Sequence, residues 1–435
     1  MPNTPFDDVA ERLAQTLQGS GTGAWTDLDL HIRAGLRRDP GIAPAHTWFP
    51  AAADRGPTAP EVAVALCGPD GRIREAALHH VGRFPELLPL VVVRCADWAE
   101  PVRLRALAVL RAELPGLAPE ALGRLTAVAL RTGDRLRGGA AQELLTTALR
   151  EGPEAGPLAL LDSEERSVRR LAHRIAVERG LLSPARLAAI AAAGHDVLVL
   201  DLCAEAALAA AGGAVDESVL APLLGARLGR VRAAGVTALR AAGRADEAEP
   251  FLYDRSALVR ACARWVLRQT GTDPLPLYRA ACAAGDAVPL DAPLGLAECG
   301  DRAADADALW ALTGHARPRV RASAVAGLRV LDAVRFDAAG FERLAPLLND
   351  DSPRVARAAA LALAPWADHL PVGALLPPEG EFACEATAPD RAGHRAEGGA
   401  GAEGDHAHIW ALRTRRALRM LRLPFGRGSH RATGA

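Results

Sequence analysis

Apolar residues recur at every fourth position in four segments of this chain, which share the ten-residue pattern V-R-x-x-[A/G]-x-x-x-L-R. With its positions numbered 0 to 9, the pattern occupies residues 102–111, 231–240, 259–268 and 320–329. At about 100° per residue on a helix, positions 0, 4 and 8 form one apolar stripe; position 1 lies at its edge and position 9 on the opposite side. The pattern therefore predicts an amphipathic helix with one buried face and two arginines in different surroundings.

Looser copies fill most of the remaining chain, beginning at Ile73, Leu136, Val168 and Val355, and degenerate copies without the arginine begin at Val199 and Leu290. Successive copies start about 28 to 35 residues apart, and a second apolar segment of roughly 9 to 14 residues precedes most of them. A fixed period of this length indicates small units stacked along the chain. We predict an all-α, right-handed α-solenoid of about ten antiparallel helix pairs, with the second helix of each pair lining the concave face.

An aspartate precedes several copies within six residues, namely Asp70, Asp97, Asp134, Asp162, Asp254 and Asp350. Aspartate in a turn followed by V-R-x-x-A resembles the HEAT-like repeat, in its short form of about thirty residues that is often labelled after the bilin-lyase family. The resemblance covers about 300 residues and implies that turn aspartates pair with position-1 arginines within or between repeats. His315 replaces the aspartate in one repeat, and no acid directly precedes Val231. Pairing is therefore expected to be interrupted at both places.

Four segments are predicted along the chain. Residues 1–58 are predicted to form an N-terminal helical cap, and residues 59–376 the HEAT-like repeat solenoid. Residues 377–405 are predicted to be an acidic Gly/Ala-rich disordered linker, and residues 406–435 a basic amphipathic C-terminal helix with its tail. The linker has seven acids and two arginines, whereas the last segment has seven arginines and no acid. The basic helix, at 406–425, is predicted to cap the last repeat, to bind an acidic partner or to make peripheral contact with an anionic membrane.

The net charge and the cysteines argue against some classes of partner and of site. The whole chain has a net charge of −1, and the basic C-terminal segment and acidic linker leave residues 1–378 at −3. A solenoid that is not basic argues against nucleic acid as its partner. Seven scattered cysteines without a C-x-x-C pair predict neither a disulfide framework nor a zinc site, which is typical of a reducing cytoplasm. No apolar run is long enough to span a bilayer, and the first residues lack the apolar region of a secretory signal.

The candidate binding residues are the position-9 arginines Arg111, Arg240, Arg268 and Arg329. On stacked second helices they would project from comparable positions on the concave face, and they could together hold a partner protein or peptide segment there, particularly an acidic one. The competing interpretation is that arginine near a helix C-terminus complements the helix dipole and keeps the helix soluble. No catalytic, cofactor or metal motif occurs, and His406-x-His408 is an isolated pair. We therefore expect a non-catalytic protein-binding scaffold in the cytoplasm, without cofactors.

The alternative is an enzyme built on a HEAT-like scaffold, similar to the alkylpurine DNA glycosylases or to the bilin lyases. Trp265 lies beside Arg264 and Arg268 on a motif helix, which is the feature that favours the glycosylase interpretation. A lone tryptophan, however, is more often part of the packed core, and we expect that role for Trp265. A basic, aromatic-lined groove with a carboxylate at its centre would favour the enzyme.

Overall fold

The computed structural model describes residues 5–18, 23–38, 49, 56–212, 215–331 and 338–365. Within these ranges every regular element is a helix, which confirms the all-α prediction. The described chain forms two compact units: unit 1 comprises Met1–Gly212 and Asp216–Ala226, and unit 2 comprises Gly213–Val215 and Arg227–Ala435. The predicted acidic linker (377–405) and basic C-terminal helix (406–435) lie outside the described residues, so both stay predictions.

The described part of unit 1 contains a series of α-helices: α1 (Pro5–Gln18), α2 (Gly23–Arg38), α3 (Ala59–Cys67), α4 (Gly71–Leu78), α5 (Leu88–Arg94), α6 (Glu100–Glu113), α7 (Pro119–Thr132), α8 (Gly139–Glu151), α9 (Ala155–Ala159), α10 (Arg166–Glu178), α11 (Pro184–Ala193), α12 (Val197–Ala211) and α13 (Glu217–Gly225). Short turns connect α3 to α4, α5 to α6, α7 to α8, α9 to α10 and α11 to α12, and the two helices of each pair are packed together. Short connections of this kind join antiparallel helices.

The N-terminal helices of unit 1 pack onto its first repeats. Leu13 of α1 and Trp25 and Leu28 of α2 are buried in the same core as the apolar residues of α3 to α8. A capping box fixes the start of α3, because the Glu61 carboxylate accepts a hydrogen bond from the backbone N–H of Thr58 at 2.9 Å. The sequence signal Thr58-x-x-Glu61 therefore corresponds to the helix start in the structure.

Unit 2 continues with α14 (Gly229–Ala241), α15 (Ala257–Gln269), α16 (Pro274–Cys282), α17 (Ala292–Cys299), α18 (Arg302–Leu312), α19 (Pro318–Val330), α20 (Ala338–Leu344) and α21 (Pro353–Leu363). Helices α14 and α15 pack together, as do α17 with α19 and α19 with α21, so the second helices of neighbouring repeats are stacked. Each unit is thus a series of stacked helix pairs, which is the architecture of an α-solenoid. The handedness and the concave position of the second helices stay predictions.

The apolar stripe of the motif is the buried face of the second helices, as predicted. Positions 0, 4 and 8 are at most 3% exposed in three of the intact motifs, at Val102, Ala106 and Leu110, at Val259, Ala263 and Leu267, and at Val320, Ala324 and Leu328. These side chains supply the contacts that hold each repeat to its neighbours, since units of a solenoid have no common central core.

One motif has a different register from the predicted one. Leu136 is 97% exposed and precedes α8, which begins only at Gly139. The buried residues of α8 are Ala141, Leu145 and Leu149, which keep the four-residue spacing but begin five residues later. Glycine is a weak helix former, so the Gly138–Gly139 pair delays the helix start, and the residue predicted as position 0 lies in the turn.

The first helices are less regular than the second ones. The segment Ala245–Tyr253 is a 3-10 helix with Pro250 inside it, and Ala345–Asn349, also 3-10, begins with Pro346 at its second position. Proline has no N–H to donate and its ring clashes with the preceding turn, so an α-helix is disfavoured at Pro250, and α20 cannot continue through Pro346. The more regular second helices are therefore the ones that set the positions of the arginines.

Position-1 arginines join successive repeats through aspartates. Arg74 binds both carboxylate oxygens of Asp97, Arg232 those of Asp254 and Arg321 those of Asp350, at 2.7 to 2.9 Å. Each arginine also donates through Nη1 to a backbone carbonyl of the turn before its own helix. Each aspartate in turn accepts a hydrogen bond from the backbone N–H two residues further on. We call these three pairs the arginine–aspartate ladder.

The ladder is interrupted, as the resemblance to HEAT-like repeats implied, at His315. Its Nδ1 accepts from the backbone N–H of Arg317 at 3.0 Å, and its Nε2 contacts the carbonyl oxygen of Gly285 at 3.0 Å. His315 thus organises the turn as an aspartate would, but it offers no carboxylate to an arginine. Elsewhere the partner changes: Asp196 binds Arg170, the residue after position 1, at 2.8 and 3.0 Å.

Candidate binding surface

The four position-9 arginines lie in the last turns of α6, α14, α15 and α19, and all four side chains are exposed. No hydrogen bond or ion pair joins Arg111, Arg240, Arg268 or Arg329 to another described residue. Their guanidinium groups are therefore available to an external partner. Arg111 belongs to unit 1 and the other three to unit 2, so the sequence-derived set divides between the two units.

Arg240 and Trp265 form a stacked pair on the surface of unit 2. The guanidinium carbon of Arg240 lies 5.5 Å from the centre of the Trp265 ring. Trp265 is 42% exposed, so the expectation that it belongs to the packed core was wrong. The position of Trp265 in the motif predicts its exposure, because position 6 lies at about 240° on the helix, outside the apolar stripe. An arginine over an indole face is a cation–π arrangement that leaves the cation accessible.

Arg268 extends this surface along α15. It follows Trp265 by three residues, so the two side chains lie on the same face of the helix. Cys299, at position 9 of the degenerate motif on α17, is a half-buried neighbour. Burial raises the pKa of the Cys299 thiol, while the nearby cations Arg264 and Arg268 act in the opposite direction. We call Arg240, Trp265 and Arg268 the arginine surface.

A buried network between α15 and α17 lies beside the arginine surface. Glu298 accepts hydrogen bonds from Arg260 and, at 2.6 Å, from Arg264. Tyr278 is fully buried and donates its hydroxyl proton to the carbonyl oxygen of Leu252 at 2.8 Å. Burial raises the pKa of Tyr278 to about 12, and burial would lower the pKa of Arg264, but hydrogen bonds to Glu298 and Tyr278 raise it. The Tyr278 hydroxyl therefore stays neutral and the Arg264 guanidinium stays charged near neutral pH.

This network decides what chemistry the region can perform. Two guanidinium groups neutralise the Glu298 carboxylate, so it is not free to act as a general base. The exposed arginines of the arginine surface have no such counter-charge within the described chain. The arrangement is therefore suited to binding an anionic or aromatic group rather than to transferring a proton.

The other two predicted site residues do not join the arginine surface. Arg329 is exposed on α19, which packs against α17, and no described contact connects it to Arg268. Arg111 is exposed on α6 of unit 1. Of the four predicted residues, Arg240 therefore stacks on Trp265, and Arg268 lies on the same face of α15 as Trp265.

No group of three or more His, Cys, Asp or Glu side chains among the described residues could hold a metal ion. His406 and His408 lie outside the described residues. None of the described helices has the length and apolar character needed to cross a membrane.

No protein-family model matches the chain, and no curated protein matches it. Among solved structures, the chain is similar to a crystal structure of Kap121p bound to Pho4p, with a TM-score of 0.34 and 12% identity over 84% of this chain and 50% of that chain. It is also similar to the karyopherin Kap121p bound to the extreme C-terminus of the protein phosphatase Cdc14p, with a TM-score of 0.33 and 13% identity over 72% of this chain and 42% of that chain. The chain thus spans half or less of these proteins, and its fold assignment rests on its own helices.

Proposed function

We propose that this chain is a non-catalytic protein-binding scaffold, and that its arginine surface holds an acidic segment of a partner protein. The observation that carries the proposal is the exposed Arg240–Trp265 stack with Arg268 beside it, without a carboxylate partner from the described chain. The HEAT-like resemblance, the predicted segments of the chain and the cytoplasmic location belong to the same proposal.

The chemistry of these residue types supports a binding role. Tryptophan and arginine are the residues that most often carry the binding energy of protein interfaces. A planar guanidinium can bind a carboxylate through two parallel hydrogen bonds, and stacking on an indole ring orients it without removing those donors. Stacked helical repeats present such side chains along an extended surface, which suits a partner in an extended conformation.

The alternative enzyme needs a carboxylate that is free to react within an aromatic-lined basic groove. Trp265 and the arginines supply the aromatic and basic parts, but Glu298 is bound by Arg260 and Arg264. No observation favours a bilin lyase. The geometry therefore supports binding better than catalysis, and the position-9 arginines Arg111 and Arg329 stay candidates for further contacts with the partner.

Affinity capture from the native host tests the proposal. Wild-type protein is compared with Arg240→Glu/Arg268→Glu and with the matched control Arg186→Glu/Arg357→Glu, which makes the same change in charge at exposed sites elsewhere. We expect the first double variant to lose partners that the wild type and the control both retain, with all three proteins equally helical by circular dichroism. Identical partner sets for all three would refute the arginine surface as the binding site.

A direct assay makes the test independent of the host. A fluorescent glutamate-rich peptide is titrated with each protein, and its anisotropy is followed at two salt concentrations. We expect binding to the wild type and control that weakens as salt rises, because the attraction is between exposed charges. Equal affinity for the Arg240→Glu/Arg268→Glu variant would contradict the proposal.

A further inference from the structure

A second feature of unit 2 is an open depression of about 410 Å³ at the N-terminal ends of its second helices. Its polar lining consists of Arg255 before α15, Asp291 before α17, Arg319 and Ser323 on α19, and Arg354 on α21. Arg319 and Arg354 are each the second residue of their helix, directly before position 0 of the motif. The depression therefore gathers equivalent positions from successive repeats, and it is distinct from the arginine surface at the opposite ends of these helices.

The Ser323 hydroxyl in this lining has no hydrogen-bond partner among the described residues. The residue is only 4% exposed, so solvent does not readily replace the missing partner. A buried hydroxyl without a partner destabilises the folded state, since it loses its hydrogen bonds to water and gains none. Ser323 lines the depression, so an acceptor atom that reaches the hydroxyl from there would satisfy it.

The charge of the lining is positive. Its three arginines face one carboxylate, Asp291, which binds Arg319 at 2.7 Å. Arg255 donates to the carbonyl oxygen of Arg227 at 2.9 Å, and Arg354 has no hydrogen bond or ion pair to another described residue. Arg255 and Arg354 therefore have no ion-pair partner among the described residues; the acid next to Arg255, Asp254, is bound by Arg232.

Helix stability does not explain these arginines. The N-terminal end of a helix carries a partial positive charge, so a cation there is unfavourable and an anion is favourable. Arg319 and Arg354 both lie in the first turn of their helices. An anion in the depression would interact favourably with the arginines, with the helix ends and with the Ser323 hydroxyl together.

We propose that this depression is a binding site for a phosphate group. A phosphate monoester has a charge of about −1.5 to −2 near neutral pH and three terminal oxygens that accept strong hydrogen bonds. Two guanidinium groups without an ion-pair partner, those of Arg255 and Arg354, match that charge, and donors from three separate elements match a tetrahedral group better than a planar carboxylate. The phosphate group comes either from a free small molecule, such as inorganic phosphate, or from a phosphorylated side chain of a protein.

Isothermal titration calorimetry with the full chain tests this site, with inorganic phosphate, phosphoserine and acetate as probes at constant ionic strength. We expect phosphate or phosphoserine to bind, and acetate to bind at least tenfold more weakly. Tighter binding of phosphoserine than of phosphate would identify a phosphorylated residue as the source, and the reverse order would identify free phosphate. The absence of phosphate and phosphoserine binding, or equal binding of acetate, would overturn the proposal.

Three variants locate the binding. Arg354→Gln is expected to weaken phosphate binding at least tenfold and Ser323→Ala severalfold, whereas Arg357→Gln, one turn further along α21 and outside the lining, is expected to change nothing. Ser323→Ala removes a hydroxyl without a partner, so its thermal unfolding temperature without phosphate should not fall, which separates lost binding from lost folding. Unchanged phosphate affinity in both Arg354→Gln and Ser323→Ala would place any binding elsewhere.

Discussion

The two ends of the second helices use arginine in opposite ways. At the N-terminal end, position-1 arginines such as Arg74 and Arg232 are buried and bind aspartates of the next repeat. At the C-terminal end, position-9 arginines such as Arg240 and Arg268 are exposed and have no described ion-pair partner. The residue type is the same, and its angle to the apolar stripe decides its role.

The energetic consequences of the two positions differ as well. A buried guanidinium must be paired, because removing its partner leaves an uncompensated charge in a medium of low polarity. An exposed guanidinium keeps its hydration and contributes little to the stability of the fold. Substitutions in the ladder are therefore expected to change folding, and those in the arginine surface to change binding.

Acidification should have the largest effect on stability, because it acts on every ladder pair. Burial alone would raise the pKa of Asp254, but hydrogen bonds from Arg232 and from the backbone N–H of Ser256 lower it, and the pKa values of Asp97 and Asp350 are lowered in the same way. A lowered folded-state pKa contributes stability that is complete above the unfolded value of about 3.9 and is lost as pH falls through the folded value. We therefore expect the urea midpoint to fall as the pH drops below about 4.

The variant Asp254→Asn assigns part of this pH dependence to one pair. It should be less stable than the wild type at pH 7, and the difference should shrink as pH falls, because protonation then removes the same charge from the wild type. Urea titrations at several pH values and constant ionic strength measure both curves. A difference that stays constant down to pH 3 would contradict the role given to Asp254.

A matched pair on α19 compares the two positions within one helix. Arg321, at position 1, binds Asp350 at 2.8 Å, whereas Arg329, at position 9, is exposed. We expect Arg321→Gln to lower the free energy of unfolding by about 1.5–3 kcal/mol, since hydrogen bonds to a charged group are lost. Arg329→Gln should stay within about 0.5 kcal/mol of the wild type. Equal effects in urea denaturation would remove the distinction between the two ends.

The smallest effect is expected at the Arg240–Trp265 stack. A cation–π pair at an exposed site contributes about 0.5–1 kcal/mol, so the coupling energy in a double-mutant cycle of Arg240→Ala and Trp265→Ala should fall in that range. Chemical denaturation of the wild type, both single variants and the double variant gives this value. A coupling well above 1 kcal/mol would mean that the stack serves the fold rather than a partner.

Several features of the fold were predictable because they depend on spacing within one helix. The buried positions 0, 4 and 8 and the helix start at Thr58 follow from local patterns. The prediction for Leu136 was wrong because a glycine pair delays the helix, and the prediction for Trp265 was wrong because a general tendency was preferred to the position of the residue in the motif. In both cases the sequence contains the information needed for the correct prediction.

The sequence by itself determined which residues form helices, which face of each second helix is buried, and that the two arginines of a motif lie in different surroundings. Only the tertiary structure decided that Arg260 and Arg264 bind Glu298, that Arg240 stacks on Trp265, and that Ser323 lies among arginines from neighbouring repeats. The physical reason is the range of the interactions. Helical periodicity is a property of consecutive residues, whereas these contacts depend on how repeats about thirty residues apart pack against each other.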